Sequence, residues 1–280
     1  MSGLLTNLNI QPETNMTMQN ITKSLVLLAA CSAMTATAGV TPAPAPAPAP
    51  APTGWTGSVS LGYDTDYIYR GVQVMGDGGY AKDLISSTLD LNYQINDRLA
   101  WNINLWYGTS AAPATDYDEL DIYTRLLYKV NDQFSFGPSL KYYYYPFLDS
   151  SPLDEQLEFG VEGVWTPCAG TTVNLGAFYE TESEAYYLEA GINHVFKIND
   201  TISLIPGAVI SYLDRNATVF GRDVSDFNHA AIYLKAPITL KSNVTLTPYI
   251  AYNFVFDAID TINPAQSDDF YGGVSLAVGF

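Results

Sequence analysis

Long apolar runs are missing from this sequence. Beyond the N-terminal region no stretch of about 18 consecutive apolar residues occurs, so the chain offers no membrane-spanning helix. Charge is scarce as well, at 15% of residues, against about 25% in ordinary proteins. Positive charge is the scarcer sign, with 12 Lys and Arg against 29 Asp and Glu. The resulting net charge of −17 repels phosphate backbones and excludes nucleic acid as a partner. Histidine is down to two residues, His194 and His229, and cysteine to two, Cys31 and Cys168. No zinc-type ligand spacing, phosphate-cradling glycine loop or nucleophile elbow is present. Neither a metal site nor a cofactor is expected.

What the sequence has in place of these is alternation. Residues 270–280 read Phe-Tyr-Gly-Gly-Val-Ser-Leu-Ala-Val-Gly-Phe. Phe270, Gly272, Val274, Leu276, Val278 and Phe280 share one parity, and small or polar residues fill the other. That is a strand with one oily face. An oily strand left as a sheet edge invites aggregation, whereas in a closed barrel the last strand pairs with the first and no edge remains. A final amphipathic strand ending on Phe280 resembles the terminal assembly signal of bacterial outer-membrane barrels.

The N-terminal residues read differently. Residues 1–17 look like lead sequence, with translation starting at Met1, Met16 or Met18. From Met18, Lys23, the apolar stretch Leu25–Ala30 and the Ala36-Thr37-Ala38 site read as a secretory signal peptide, so that residues 1–38 are expected to be lead sequence and signal peptide. A rival reading takes Leu28-Ala29-Ala30-Cys31 as a lipoprotein box with Cys31 lipidated. On either reading the mature chain has at most one unmodified thiol, Cys168, and no internal disulfide. Cys168 falls in an expected turn, where it reads as incidental, with a redox or intermolecular role as the alternative. Residues 39–53 form a Pro/Ala-rich periplasmic linker. Its alternating prolines exclude helix and central strand and favour an extended polyproline spacer, about 34 Å over 42–52. It serves as a passive spacer or as a tether to the cell wall.

Residues 54–280 carry the folded domain. Three turns repeat one pattern, Ile95-Asn96-Asp97, Val130-Asn131-Asp132 and Ile198-Asn199-Asp200. Thr166–Gly170 and Lys241-Ser242-Asn243 serve the same purpose. Between these tight turns lie longer acidic connections at 71–82, 109–119, 146–153, 181–184, 214–228 and 257–268. Short turns at one end and long loops at the other match an outer-membrane barrel. The expected fold is all-β, a transmembrane antiparallel up-and-down β-barrel of about twelve strands. They are placed near 54–70, 83–95, 98–108, 120–130, 133–145, 154–166, 171–180, 185–198, 201–213, 229–240, 244–256 and 269–280. Pro138, Pro206 and Pro248 interrupt strand chemistry, and bulges are expected near them. Tyr67, Tyr69, Tyr107, Tyr142, Tyr144, Tyr212 and Phe256 are assigned to an outer aromatic girdle. Trp101, Tyr128, Phe134, Trp165 and Phe196 are assigned to a periplasmic one.

Gly62-Tyr63-Asp64-Thr65-Asp66-Tyr67-Ile68-Tyr69-Arg70-Gly71 resembles the first-strand signature of TorF-like outer-membrane porins. In that family an Asp-Tyr-x-x-Arg-Gly segment closes the first strand. The resemblance extends loosely over 54–280 and implies an outer-membrane channel of unspecified solute. The Pro/Ala tract is not part of the family pattern.

Inward parity collects Asp64, Asp66, Arg70, Asp90, Arg125, Lys129, Lys141, Glu158, Glu162, Glu189 and Lys235. Such charges either line an aqueous path and set its ion selectivity or pair across the interior and plug it. Arg70 is expected to pair locally with Asp64 and Asp66. The loop carboxylates, Glu119 among them, form negative surface that favours cations and can meet lipopolysaccharide through diffuse divalent ions. The chain is therefore expected in the outer membrane of a Gram-negative-type bacterium. Its partners would be lipids and lipopolysaccharide, the barrel-assembly machinery, and small hydrophilic solutes or cations. Passive diffusion is the leading function and a non-conducting structural or anchoring barrel the runner-up. A barrel hydrolase is the third reading, resting on His229 near Asp223, Ser225 and Asp226.

Overall fold

The computed structural model describes residues 54–75, 82–111, 117–146, 154–215 and 223–280. The signal peptide, the linker and Cys31 lie outside the described residues. Twelve antiparallel strands form the wall: β1 (Trp55–Asp64), β2 (Leu84–Asn96), β3 (Leu99–Ser110), β4 (Asp118–Lys129), β5 (Phe134–Tyr144), β6 (Glu155–Trp165), β7 (Thr171–Glu180), β8 (Ala185–His194), β9 (Ser203–Arg215), β10 (Val224–Lys235), β11 (Val244–Val255) and β12 (Asp269–Gly279). Short continuations at Phe196–Lys197 and Ile238–Lys241 extend β8 and the β10 edge. Each strand pairs with its sequence neighbours, and β1 pairs with β12 from Ser58↔Gly279 to Asp64↔Gly273. Gly57 and Phe280 exchange two backbone hydrogen bonds at that seam, of 3.0 and 2.9 Å. The sheet is a closed barrel.

The repeated Asn turn explains how the hairpins reverse. In each copy the Asn Oδ1 accepts two backbone N–H groups, two and three residues on. Asn96 takes Arg98 and Leu99, Asn131 takes Gln133 and Phe134, and Asn199 takes Thr201 and Ile202, all at 2.8–3.0 Å. The side chain thus replaces a ladder partner where the ladder stops.

Alternation sorts the two faces. Val59, Leu61, Ile122, Leu126, Phe159, Val161, Leu188 and Ile250 are exposed on the outer face. Outward charges within the twelve strands are confined to Asp118, Glu155 and Asp214 at the loop end. A charge at mid-depth would cost about 2–4 kcal/mol in lipid, and none is there. Trp55 packs on Tyr93 and Trp101 at ring separations of 5.0 and 5.8 Å near the turn end. Tyr107, Tyr186, Phe227 and Phe270 are exposed towards the loop end.

Several expectations need correction. β1 stops at Asp64, and residues 65–75 turn into the barrel as a small hairpin, Ile68–Tyr69 against Val72–Gln73. Tyr67 and Tyr69 therefore sit inside and belong to no girdle. β10 begins at Val224 and not at 229. A register shift between Ile210 and Tyr212 opposes Ser211 to both Asn228 and His229, so outward parity switches from Ser225 and Phe227 to Ala230, Ile232 and Leu234. A simple alternation template starts this strand too late for that reason. The bulges expected at the prolines do not occur. Pro138, Pro206 and Pro248 keep register with Val161, Leu234 and Val274. The ladder lapses where an N–H is missing, without inserting a residue. The connection 257–268 holds a short helix, α1 (Asp257–Ile262), which packs on β10 and buries Ala258 and Ile259 completely.

Candidate functional site

The inward hairpin organises the lumen. Its two-residue turn is Arg70-Gly71, and both have positive φ, 50° and 81°. A tight hairpin turn of this kind demands that conformation, which glycine adopts freely and arginine does only under constraint. The constraint is visible. Asn228 Nδ2 donates to the Arg70 carbonyl (2.6 Å), while Asn253 Nδ2 (2.9 Å) and Gln266 Nε2 (2.6 Å) both donate to the Gly71 carbonyl. A Cβ on Gly71 would stand 2.4 Å from Cβ and Cγ of His229. The turn is pinned against the wall by three amides and has room for glycine alone.

The hairpin flanks are tied equally firmly. Thr65 N–H bonds the Gly272 carbonyl (2.8 Å) and Val74 N–H the Tyr67 carbonyl (2.9 Å). Tyr67 stacks on Trp106 and donates to Glu119 Oε2 at 2.7 Å. Asp66 accepts from Gln73 Nε2 at 2.7 Å and pairs with Lys82 at 3.3 Å.

Arg70 crosses the lumen. Its guanidinium makes two parallel bonds to Glu158 on β6, Nη1 to Oε2 at 2.5 Å and Nη2 to Oε1 at 2.9 Å. The local pair with Asp64 and Asp66 does not form. Asp64 is taken by the Tyr249 hydroxyl at 2.5 Å. Among the described residues, two cavities border the Arg70–Glu158 bridge. A larger one, about 570 Å³, is lined by Asp64, Asp121, Tyr123, Lys141, Glu162 and Tyr249 among others. A smaller one, about 290 Å³, lies among Tyr143, Tyr145, Glu180, Tyr187, Leu213 and Asn228. Tyr69, Arg70 and Glu158 border both.

Of the eleven charged residues placed on the inward parity from the sequence, all but Lys129, at the turn, sit along the interior of the barrel. Lys141 pairs with Asp121 at 3.0 Å and Arg125 with Glu162 at 3.1 Å, with the Tyr123 hydroxyl on the same carboxylate at 2.6 Å. Asp90 is held by the Asn92, Asn102 and Asn104 amides, and Glu189 by the Tyr187 hydroxyl. Neither has a cationic partner among the described residues. Lys235 lies over the Tyr233 ring at 5.1 Å. Lys129 pairs instead with Asp132 in its own turn, at 2.7 Å.

Sequence reading missed Glu119 and Asp121, both buried on β4. Asp121 shares parity with Tyr123 and Arg125, so the signal was present. Glu119 was assigned to loop surface because the strand begins earlier than expected. Oε1 of Glu119 and Oδ1 of Asp121 have no hydrogen-bond partner among the described residues.

The hydrolase arrangement is not assembled. His229 Nδ1 meets Asn253 Oδ1 at 3.0 Å and its Nε2 meets the Tyr187 hydroxyl at 3.3 Å. Ser225 faces outward against Tyr212. His194 bonds Thr171, which Cys168 also reaches, at the turn end.

No protein-family model matches the chain, and no curated protein sequence matches it. Similar solved structures include the COG4313 outer membrane channel from Pseudomonas putida F1. It has a TM-score of 0.52 and 15% identity, covering 84% of this chain and 99% of that one. The KdgM porin reaches 0.48 at 12% identity, over 80% and 99% of the two chains, and the NanC porin 0.47 at 9%, over 79% and 98%. By strand number, closure and likeness to the first of these, the fold is that of outer-membrane β-barrels.

Proposed function

We propose that this chain is a porin-like channel of the outer membrane that passes small hydrophilic solutes by passive diffusion and prefers cations. One observation carries the reading. An apolar-shelled barrel encloses two cavities, each bordered by Arg70 and Glu158, whose bridge forms a charged constriction between β6 and the inward hairpin. A selective path needs a narrow polar point of this kind. Cation preference follows from the surplus of carboxylates. Asp64, Asp90 and Glu189 face the interior with no cation beside them among the described residues, and Glu119 accepts from the Tyr67 and Tyr117 hydroxyls. Asp66, Arg125, Lys141, Glu162 and Lys235 complete the lining. Resemblance of Asp66–Gly71 to the TorF-like signature supports the same class, with one amendment: here the segment narrows the lumen and does not end the first strand.

On this reading residues 1–38 direct export, 39–53 span periplasm, Phe280 is read by the barrel-assembly machinery, and the acidic loops face lipopolysaccharide. Purified protein in planar bilayers under a KCl gradient tests the proposal. Discrete conductance steps and a reversal potential of cation-selective sign are expected. Absence of current above leak rejects the channel and favours the non-conducting barrel, for which the well-anchored hairpin is the supporting observation. A reversal potential of the opposite sign rejects the cation preference alone.

A further inference from the structure

Arg70 is a cation in a built cage. Its planar fork is matched by both oxygens of Glu158, a carboxylate only 2% exposed. Its guanidinium carbon lies 4.1 Å from the centre of the Tyr187 ring and 4.9 Å from that of Phe178. Glu158, Phe178 and Tyr187 stand on three adjacent wall strands, β6, β7 and β8. The wall supplies the cage, and the inward hairpin supplies only the occupant. A two-oxygen acceptor framed by aromatic faces selects a weakly hydrated planar cation over a compact hydrated one. Glu158 and Arg70 also border both cavities, so the cage is in reach of a solute in either.

We propose that Glu158, Phe178 and Tyr187 form a binding station for solutes that carry a guanidinium group, and that Arg70 is its resident, tethered occupant. A solute of this chemistry competes with Arg70 for one carboxylate. Winning that competition loosens the hairpin at the point where it blocks the path. Transport of such solutes rests on the channel reading, whereas their binding does not. Lys141 is bound by the same logic nearby, between Asp121 at 3.0 Å and the Tyr143 and Tyr69 rings at 4.3 and 4.7 Å, but its carboxylate partner already sits with it on the wall. Among the described residues, Arg70 is the one guanidinium held between wall aromatics and a wall carboxylate yet carried by the hairpin.

The test empties the cage. Full-length Arg70→Ala protein is purified in micelles and titrated calorimetrically with methylguanidinium chloride, with methylammonium chloride as the compact, strongly hydrated cation. Arg70→Met, which keeps the stem and loses the head group, serves if the alanine variant does not fold. The emptied cage should bind methylguanidinium at least tenfold more tightly than methylammonium, whereas wild type binds far less of either. Adding Glu158→Gln should weaken binding about tenfold or more, as loss of a charged hydrogen-bond pair implies. In bilayers methylguanidinium should reduce the Arg70→Ala current at the same concentrations. Equal binding of the two cations, or none by either folded variant, overturns the proposal. Binding without any bilayer current leaves the station standing and removes the channel; current without binding does the reverse.

Discussion

The wall and the inward hairpin are built on opposite plans. Every wall strand is held along its length by ladders to two neighbours, and the same Asn turn reverses the chain three times. Loss of one such bond leaves its neighbours in place. The hairpin has a two-rung ladder of its own and is held to the wall by a few side chains from distant parts of the chain. Redundancy suits a shell that must exclude lipid everywhere, and sparse polar anchorage suits a part that can be released without disturbing that shell.

The sharpest way to break the comparison is Arg70→Ala. It strands the Glu158 carboxylate, and loss of one partner from a buried pair costs about 3–5 kcal/mol. Backbone amide exchange over residues 67–74 should speed by roughly two to four orders of magnitude, while wall amides keep their protection. Equal acceleration in both regions would show that hairpin and shell are one cooperative unit. Val161→Arg is the converse probe. It places a charge at mid-depth on the oily face, where the cost is about 2–4 kcal/mol, and should lower the urea midpoint of the barrel without loosening the hairpin first. Asn131→Ala removes two turn bonds from one of three equivalent reversals. A drop of about 1 kcal/mol is expected from the same unfolding measurement, since the flanking ladders persist. The smallest effect belongs to Asp132, where the Lys129 ammonium donates at 2.7 Å and holds the carboxyl below the usual carboxylate range. A lowered value stabilises at neutral pH and is lost as pH falls through it. The carboxylate stands almost wholly in water, so Asp132→Asn should match wild type in melting temperature at pH 7 and pH 4 within error.

The same contrast decides what could be read from the sequence. β2 to β9, β11 and β12 follow from alternation and turn chemistry because their environment is periodic, lipid on one side and lumen on the other. Reading failed where one local feature broke the period. The Asn228–His229 bulge shifts parity in mid-strand, so β10 was started at 229. Asp66 to Gly71 continues the polar–aromatic alternation of β1, and nothing local announces that the chain has left the wall. Arg70 was matched to Asp64 and Asp66 because they are near in sequence. Its actual partner lies 88 residues away, and a single sequence offers no way to rank carboxylates at that range. Inward parity was legible for ten of the eleven charged candidates, and their pairing was not.

The three amides that grip the Arg70 and Gly71 carbonyls come from positions 158, 182 and 195 residues downstream. Asn228 and Asn253 stand on β10 and β11, across the β1–β12 seam from the strand that carries the hairpin. The seat that receives the hairpin is therefore complete only in the closed cylinder, and an opened seam would unseat it at once.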